Sequence, residues 1–413
     1  MTRSVRGSVR QVTGSATLMY VAALAMSGVA ILLSVALPPA ERGLLVATTT
    51  SAATGVAVGG LSLETFLLAQ GRQWLDERAG RRSLVLYLAT VPVTAVLAWT
   101  FARYAEEADP RIAAVGAACI AASNVPAAAG LTLGEFLSVY RYRAAFAAIA
   151  PALYVLLILA SVEEAELWLL AWLGCQALMA LALWTTHGPS LAPLARRASP
   201  PRERVARLGL THAGAVAQVF TYRFDQLALA RHQGPDVLAV YSLAVAAIEF
   251  TQAGAVVAAQ RTLGDHADGS TDRLRAVLRR ALYLAAGMGV LVLVGLAAIG
   301  VLTSGYEAAL LLGLVLVARS IAVTFGKILS ARLVNLGGER ATAVIAAGTA
   351  VVAIGGYSLT AAEFGAVGVA LVSVVLFALH STATAVVLGK RSAARPAPDT
   401  ATGSMKSEVG TSA

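Results

Sequence analysis

Charge is scarce in this sequence. Asp, Glu, Lys and Arg make up only 13% of its 413 residues, about half the share found in a soluble globular domain. That shortage excludes an ordinary water-soluble fold. Cysteine is nearly absent: Cys119 and Cys175 are the only two, and both fall inside apolar runs, where they serve as small packing residues and say nothing about redox compartment. The histidines His187, His212, His232, His266 and His380 are scattered. They show no zinc-type spacing, and neither a Gly-rich phosphate loop nor a nucleophile elbow is present. No metal, no cofactor and no enzymatic activity are therefore expected.

Apolar residues fill the space that charge leaves. They account for 58% of the chain, with a mean hydropathy of +0.73. Buried strands supply apolar runs of about 4 to 8 residues, whereas here the runs repeatedly reach the roughly 20 residues that a bilayer-crossing helix needs. Runs of that length fall at 16–37, 44–70, 83–102, 111–139, 144–161, 166–187, 207–231, 236–260, 281–301, 306–330, 341–360 and 364–388, twelve in all. The expected fold class is an all-α integral membrane protein with 12 transmembrane helices.

Basic residues orient it, because short cytoplasmic loops retain Lys and Arg. With the N-terminus inside, nearly all of the 32 basic residues lie on the cytoplasmic side. Only Arg42, Arg103, Arg111 and Arg231 fall outside, and Arg223, Arg319 and Lys327 lie within spans. Both termini are then cytoplasmic, and a multi-pass protein of the cytoplasmic membrane is expected. The net charge of +9 records basic loops facing anionic membrane lipids and calls for no nucleic acid. Trp99, Tyr104, Trp168, Tyr306 and Tyr357 fall near the outer interface, and Trp74, Tyr140, Tyr142 and Trp184 near the inner one. The basic start before the first run resembles a signal peptide, but its apolar run exceeds the 7 to 15 residues or so of a signal core. It reads as a first spanning helix.

The only sizeable break that is both Pro-rich and basic is "GPSLAPLARRASPPRERVARLG", beginning at Gly188. It divides the chain into an N-terminal six-helix lobe over 1–187, a cytoplasmic linker over 188–206 and a C-terminal six-helix lobe over 207–390. The small, polar remainder over 391–413 reads as a disordered cytoplasmic tail. The Pro turns at Pro39 and Pro235 each precede an inward-running span, a faint echo between halves. With an even number of helices in each half, such repeats run parallel.

"GRQWLDERAGRRS", Gly71 to Ser83, resembles a loop of major facilitator transporters. It departs from that pattern at Asp76, one residue late, and at Glu77, which intervenes before Arg78. Basic residues in this loop are also what the orientation rule alone demands.

Charges within spans carry the functional signal, since each costs roughly 2.5–3.5 kcal/mol at a helix centre and needs a partner or a watery cavity. They are Glu64, Glu135, Arg223, Asp225, Glu249, Arg319 and Lys327. Glu64, Glu135 and Lys327 lie close to cytoplasmic ends, where snorkelling suffices. Arg223 and Asp225, two residues apart on a helix, point about 200° away from each other and must look to different neighbours. Two readings are open. These groups pair between helices as packing glue, Asp225 or Glu249 with Arg319 for example, or they line a hydrated chamber in which bases hold an anionic substrate and a carboxylate binds H⁺ or Na⁺.

"YRFDQLALARHQGPDVLAVYSLAVAAIEF", from Tyr222 to Phe250, resembles helices seven and eight of oligosaccharide flippases. That family is the polysaccharide export branch of the superfamily that also holds the multidrug and toxic compound extruders (MATE). The matching residues are Arg223, Asp225, Gly234, Pro235, Leu238 and Tyr241, and "LPPAERG" looks like the family's turn into helix two. Ala239 stands where the family has Gly, Leu45 where it commonly has an aromatic, and the first half carries no basic residue inside a span.

The resemblance implies a MATE-like fold of two six-helix lobes and a flippase that moves an undecaprenyl-diphosphate-linked oligosaccharide between leaflets by alternating access. It implies headgroup contact for Arg223 and Arg319, positioning or H⁺/Na⁺ coupling for Asp225 and Glu249, and lesser candidates in Glu64 and Lys327. Its partners would be the lipid-linked sugar and polysaccharide assembly proteins. The rivals are a multidrug cation exporter on the same fold, a membrane-embedded glycan polymerase or ligase, which the short external loops disfavour, and a non-transporting scaffold.

Overall fold

The computed structural model describes residues 28–62, 88–132, 135–188, 202–252 and 271–393, with single positions at 22, 25, 26, 255, 258 and 259. Among the described residues the only regular structure is helical. A helical stretch at 28–33 runs into a 3-10 turn at Ser34–Ala36, and nine long helices follow. We name them α1 (Pro39–Gly59), α2 (Thr90–Ala105), α3 (Pro110–Thr132), α4 (Phe136–Leu159), α5 (Ala165–His187), α6 (Arg202–Thr251), α7 (Thr271–Leu302), α8 (Ala309–Asn335) and α9 (Glu339–Ala393). Seven of these are long and apolar enough to cross a membrane. The other two are α1, diluted by its Thr/Ser run and Arg42, and α2, which has 16 residues.

Two of the helices are broken. Gly234 (φ 81°, ψ 178°) interrupts α6 and Gly365 (φ 58°, ψ −150°) interrupts α9, so each consists of two limbs. Gly234 lies in a region of backbone space that is essentially reserved for glycine, and Pro235 after it cannot donate to the preceding turn. Elsewhere, helix starts follow local chemistry. Pro39 begins α1, where a missing N–H costs nothing. Asp109 Oδ1 accepts from the N–H groups of Arg111 (2.8 Å) and Ile112 (2.9 Å) at the start of α3. Glu41 on α1 accepts from the N–H of Ala165 at 2.8 Å, placing a carboxylate on the N-terminus of α5.

The helices alternate direction, so their turns gather at two ends. One end carries Glu106, Glu107, Asp109, Glu163, Glu164, Asp236 and Glu307 and is called the acidic end below. The other carries Arg141, Arg143, Arg340, Lys390 and Arg391 and is called the basic end. Helices α1 to α5 pack mainly among themselves, as do α6 to α9, and α1 lies along α6 to join the two groups. The shared core is rich in alanine, which lets backbones approach closely. Large aliphatic side chains on α4, α7 and α9, among them Leu159, Leu291, Val301 and Val351, face outward. Apolar surface on that scale is at home in hydrocarbon, not water.

Several expected boundaries shift. The span expected at 44–70 starts at Pro39 and its helix stops at Gly59, where Leu61 (φ 53°) and Ser62 (φ 51°) turn the chain out of helical geometry. Arg42, expected in an external loop, is therefore inside a helix, and the first half does carry a buried basic residue. Glu135, expected within a span, sits ahead of α4, where its carboxylate pairs with the Nδ1 of buried His187 at 2.8 Å. The last helix runs through Ala393, past the expected limit at 390, and Arg391 near its end donates to the carbonyls of Leu336 (3.3 Å) and Gly337 (2.7 Å). The Gly71–Ser83 loop and Glu64 lie outside the described residues.

Candidate functional site

Helix α6 places Arg223 and Asp225 on different sides of its first limb, as their spacing requires. Asp225 turns into the core formed by α6, α8 and α9 and is 0% exposed. Its Oδ2 accepts from Tyr241 Oη at 2.7 Å and pairs with Arg319 Nη1 at 3.2 Å, while Oδ1 accepts from the N–H of Gln226 at 2.8 Å. Arg319 on α8 is 2% exposed. Its guanidinium lies 5.0 Å from the Phe377 ring centre and 6.0 Å from that of Tyr222, with the Tyr222 carbonyl at 3.5 Å from Nη2. Nearby, Tyr357 on α9 donates to the Thr221 carbonyl at 3.1 Å. Removing two charges from water costs several kcal/mol for each ion, and only close geometry with added hydrogen bonds repays it. The tyrosine hydroxyl and the aromatic faces supply that support.

Arg223 behaves differently. Its Nη2 meets Glu249 Oε2 at 3.0 Å, and the two side chains are 38% and 30% exposed. This pair links the two limbs of α6 while remaining open to a ligand or to water. Lys327 on α8, half-buried, donates to Gln252 Oε1 at 3.1 Å and stands 5.5 Å from the Tyr222 ring centre. Among the described residues no carboxylate lies within ion-pair distance of Lys327. Tyr222 thus has two cations near its ring, Arg319 and Lys327, and packs against Phe377 at 4.6 Å between ring centres with the planes tilted by 56°.

Of the residues expected to carry function, the structure brings Arg223 to Glu249 and Arg319 to Asp225, and sets Lys327 beside the second pair through Tyr222. Arg319, expected to touch a headgroup, is enclosed and neutralised by Asp225, so Arg223 is the arginine of the two that a substrate can meet in this conformation.

The residue that sequence reasoning missed is Arg42. It is 0% exposed, with its Nε donating to Ser34 Oγ at 3.0 Å and its Nη1 to Ser242 Oγ at 3.1 Å and to the Ala239 carbonyl. Its guanidinium stands 5.8 Å from the centre of the Tyr306 ring. The signal was available: a helix that opens on Pro39 carries Arg42 inward on its first turn.

No protein-family model matches the sequence, and no curated protein is similar to it. Solved structures supply the comparison. The inward-facing conformation of a multidrug resistance MATE family transporter of the MOP superfamily is similar over 93% of this chain and 96% of its own, at a TM-score of 0.59 and 14% identity. The outward-facing conformation of such a transporter matches over 92% and 96%, at a TM-score of 0.59 and 13% identity. The fold is that of the MATE transporters. The Vibrio cholerae MATE transporter VcmN in its bent form agrees, over 92% of this chain and 97% of its own, at a TM-score of 0.54 and 15% identity. The similarity to the inward-facing and to the outward-facing structure is equal.

Proposed function

We propose that this chain is a transporter of the cytoplasmic membrane that moves an undecaprenyl-diphosphate-linked oligosaccharide from the inner to the outer leaflet by alternating access. In this reading the chain crosses the bilayer twelve times, both termini and the basic end are cytoplasmic, and residues 188–206 join lobes at 1–187 and 207–390. In that count α6 and α9 each contribute two limbs, so the seven long apolar helices give nine crossings, and α1, α2 and the segment ahead of α1 give the other three.

The observation that supports an anionic substrate is the charge held between the helices. Among the described residues, Arg42, Arg223, Arg319 and Lys327 have ion-paired carboxylates only in Asp225 and Glu249. A diphosphate headgroup cannot cross hydrocarbon unaided, and an electropositive, hydrated path replaces the water it loses. Arg223 makes the headgroup contact, exchanging Glu249 for a phosphate oxygen. Glu249, once released, binds the coupling H⁺ or Na⁺. Lys327 adds long-range attraction, and Arg319 and Asp225 hold the helices that carry the site.

A second reading, export of organic cations, is favoured by the MATE transporters of known structure, the first of them described as a multidrug resistance protein. One assay separates the two. Purified protein in liposomes is tested for moving lipid-linked oligosaccharide to the lectin-accessible leaflet, comparing wild type with Arg223→Ala and Glu249→Gln, each checked for monodisperse elution in detergent. Flipping by wild type and its loss in folded variants supports the proposal. Export of organic cations with no movement of lipid-linked sugar replaces it with the second reading.

A further inference from the structure

Arg42 belongs to neither ion pair of the candidate site. Its side chain is fully enclosed, yet among the described residues no carboxylate lies within ion-pair distance, and its Nη2 has no partner. A buried guanidinium is ordinarily matched by a carboxylate. Here the partners are neutral and come from three separate segments: Ser34 ahead of α1, Ala239 and Ser242 on the second limb of α6, and the Tyr306 ring in the turn before α8. Two of these three segments belong to the second helix group. The contact therefore crosses the surface along which the two groups meet.

Its surroundings make that crossing tight at the acidic end. A Cβ on Gly43 would lie 2.0 Å from the Pro235 carbonyl oxygen, so α1 touches the break in α6 backbone to backbone. Farther along α1, Thr50 Oγ1 donates to Gln226 Oε1 at 2.8 Å. Arg231 at the same end meets Glu106 at 3.2 Å and stands 4.9 Å from the Tyr104 ring centre. Toward the basic end the two helices are joined by His212. Ser62 Oγ lies 3.2 Å from His212 Nδ1, and the same imidazole also bonds to the backbone at Val58.

We propose that Arg42 is the positioning residue that bolts the acidic end shut and thereby sets the balance between the two access states. Its hydrogen bonds are strong because the donor is charged. They are also separable, because each acceptor is neutral and no carboxylate is left stranded when the surfaces part. This inference rests on alternating access but not on the identity of the cargo.

The test reads access at each end directly. In a Cys119→Ala/Cys175→Ala background, single probes are placed at Ala47→Cys near the acidic end and Val58→Cys near the basic end. The rate of modification by a membrane-impermeant maleimide is measured in lipid nanodiscs, where both faces meet the reagent. With Arg42→Ala, the Ala47→Cys probe reacts at least about tenfold faster, the factor expected from losing one charged hydrogen bond, and the Val58→Cys probe reacts more slowly. Arg42→Lys gives an intermediate rate. Ser242→Ala, which keeps the arginine and removes one acceptor, moves both probes in the same directions by less, and it carries the test if Arg42→Ala fails to fold. Faster reaction at both ends would mean general loosening and overturn the proposal, as would unchanged rates. The result stands apart from the cargo assay, since access is read without substrate.

Discussion

Arg223 and Asp225, two residues apart on α6, serve opposite purposes: Arg223 meets the half-exposed Glu249 at 3.0 Å, and Asp225 is sealed against Arg319 at 3.2 Å. One pair is accessible and exchangeable, whereas the other is a fixed internal strut. Stability and transport should therefore respond to the two pairs in different ways.

For the sealed pair, Asp225→Asn or Arg319→Met alone leaves an uncompensated buried charge and lowers stability by about 3–5 kcal/mol. The double substitution Asp225→Leu/Arg319→Met removes both charges and recovers most of that loss. Thermal unfolding in detergent, followed by tryptophan fluorescence, checks the series. Additive losses in the double variant would show that the pair is not a unit.

For the open pair, Arg223→Ala and Glu249→Gln change stability by no more than about 1 kcal/mol, because partly exposed ion pairs contribute little. Transport falls about tenfold or more with Arg223→Ala, since a charged hydrogen bond to phosphate is lost. The same melting measurement, set beside the leaflet assay, separates these effects.

Lys327→Gln removes a cation that touches no carboxylate among the described residues while keeping a polar head near Gln252. Under the flippase reading it weakens capture of the diphosphate lipid and leaves the unfolding temperature nearly unchanged. Under the cation-export reading it strengthens binding of organic cations. Titrating purified protein with each class of ligand decides the sign.

Backbone geometry gives a fourth expectation. Gly234→Ala has open space for its methyl group, yet it forces φ 81° on a residue with a Cβ, at a cost of about 1–3 kcal/mol. Gly43→Ala costs a similar amount through overpacking, as its Cβ would meet Pro235 backbone. Melting curves of both variants check this, and restored stability in a Gly43→Ala variant would mean that α1 and α6 are less closely apposed.

Much of this was legible in the sequence because hydrocarbon imposes simple rules. The dearth of charge and the long apolar runs required helices, and the Gly234-Pro235 pair marked the break in α6. The two-residue spacing of Arg223 and Asp225 required separate partners. What remained hidden depends on where helices end and how they register. An apolar run that begins at 44 leaves Arg42 in a loop, whereas the polar turn before it is already helical from Pro39. Glu135 was assigned to a span because apolar residues continue on both sides of a helix end that composition does not mark. Nothing in one chain's composition says that Asp225, and not Glu249, reaches Arg319, since that choice is made by the packing of α8 against α6.

The two helix breaks are themselves fastened together. Gln233, just before Gly234, donates to the Ala361 carbonyl at 2.8 Å, and its side chain abuts Gly365. Four helical limbs thus meet at a common crown, where one side chain joins the two glycine breaks. Under the alternating-access proposal, that tie couples the two breaks and leaves the seam between α1 and α6 as the surface that parts.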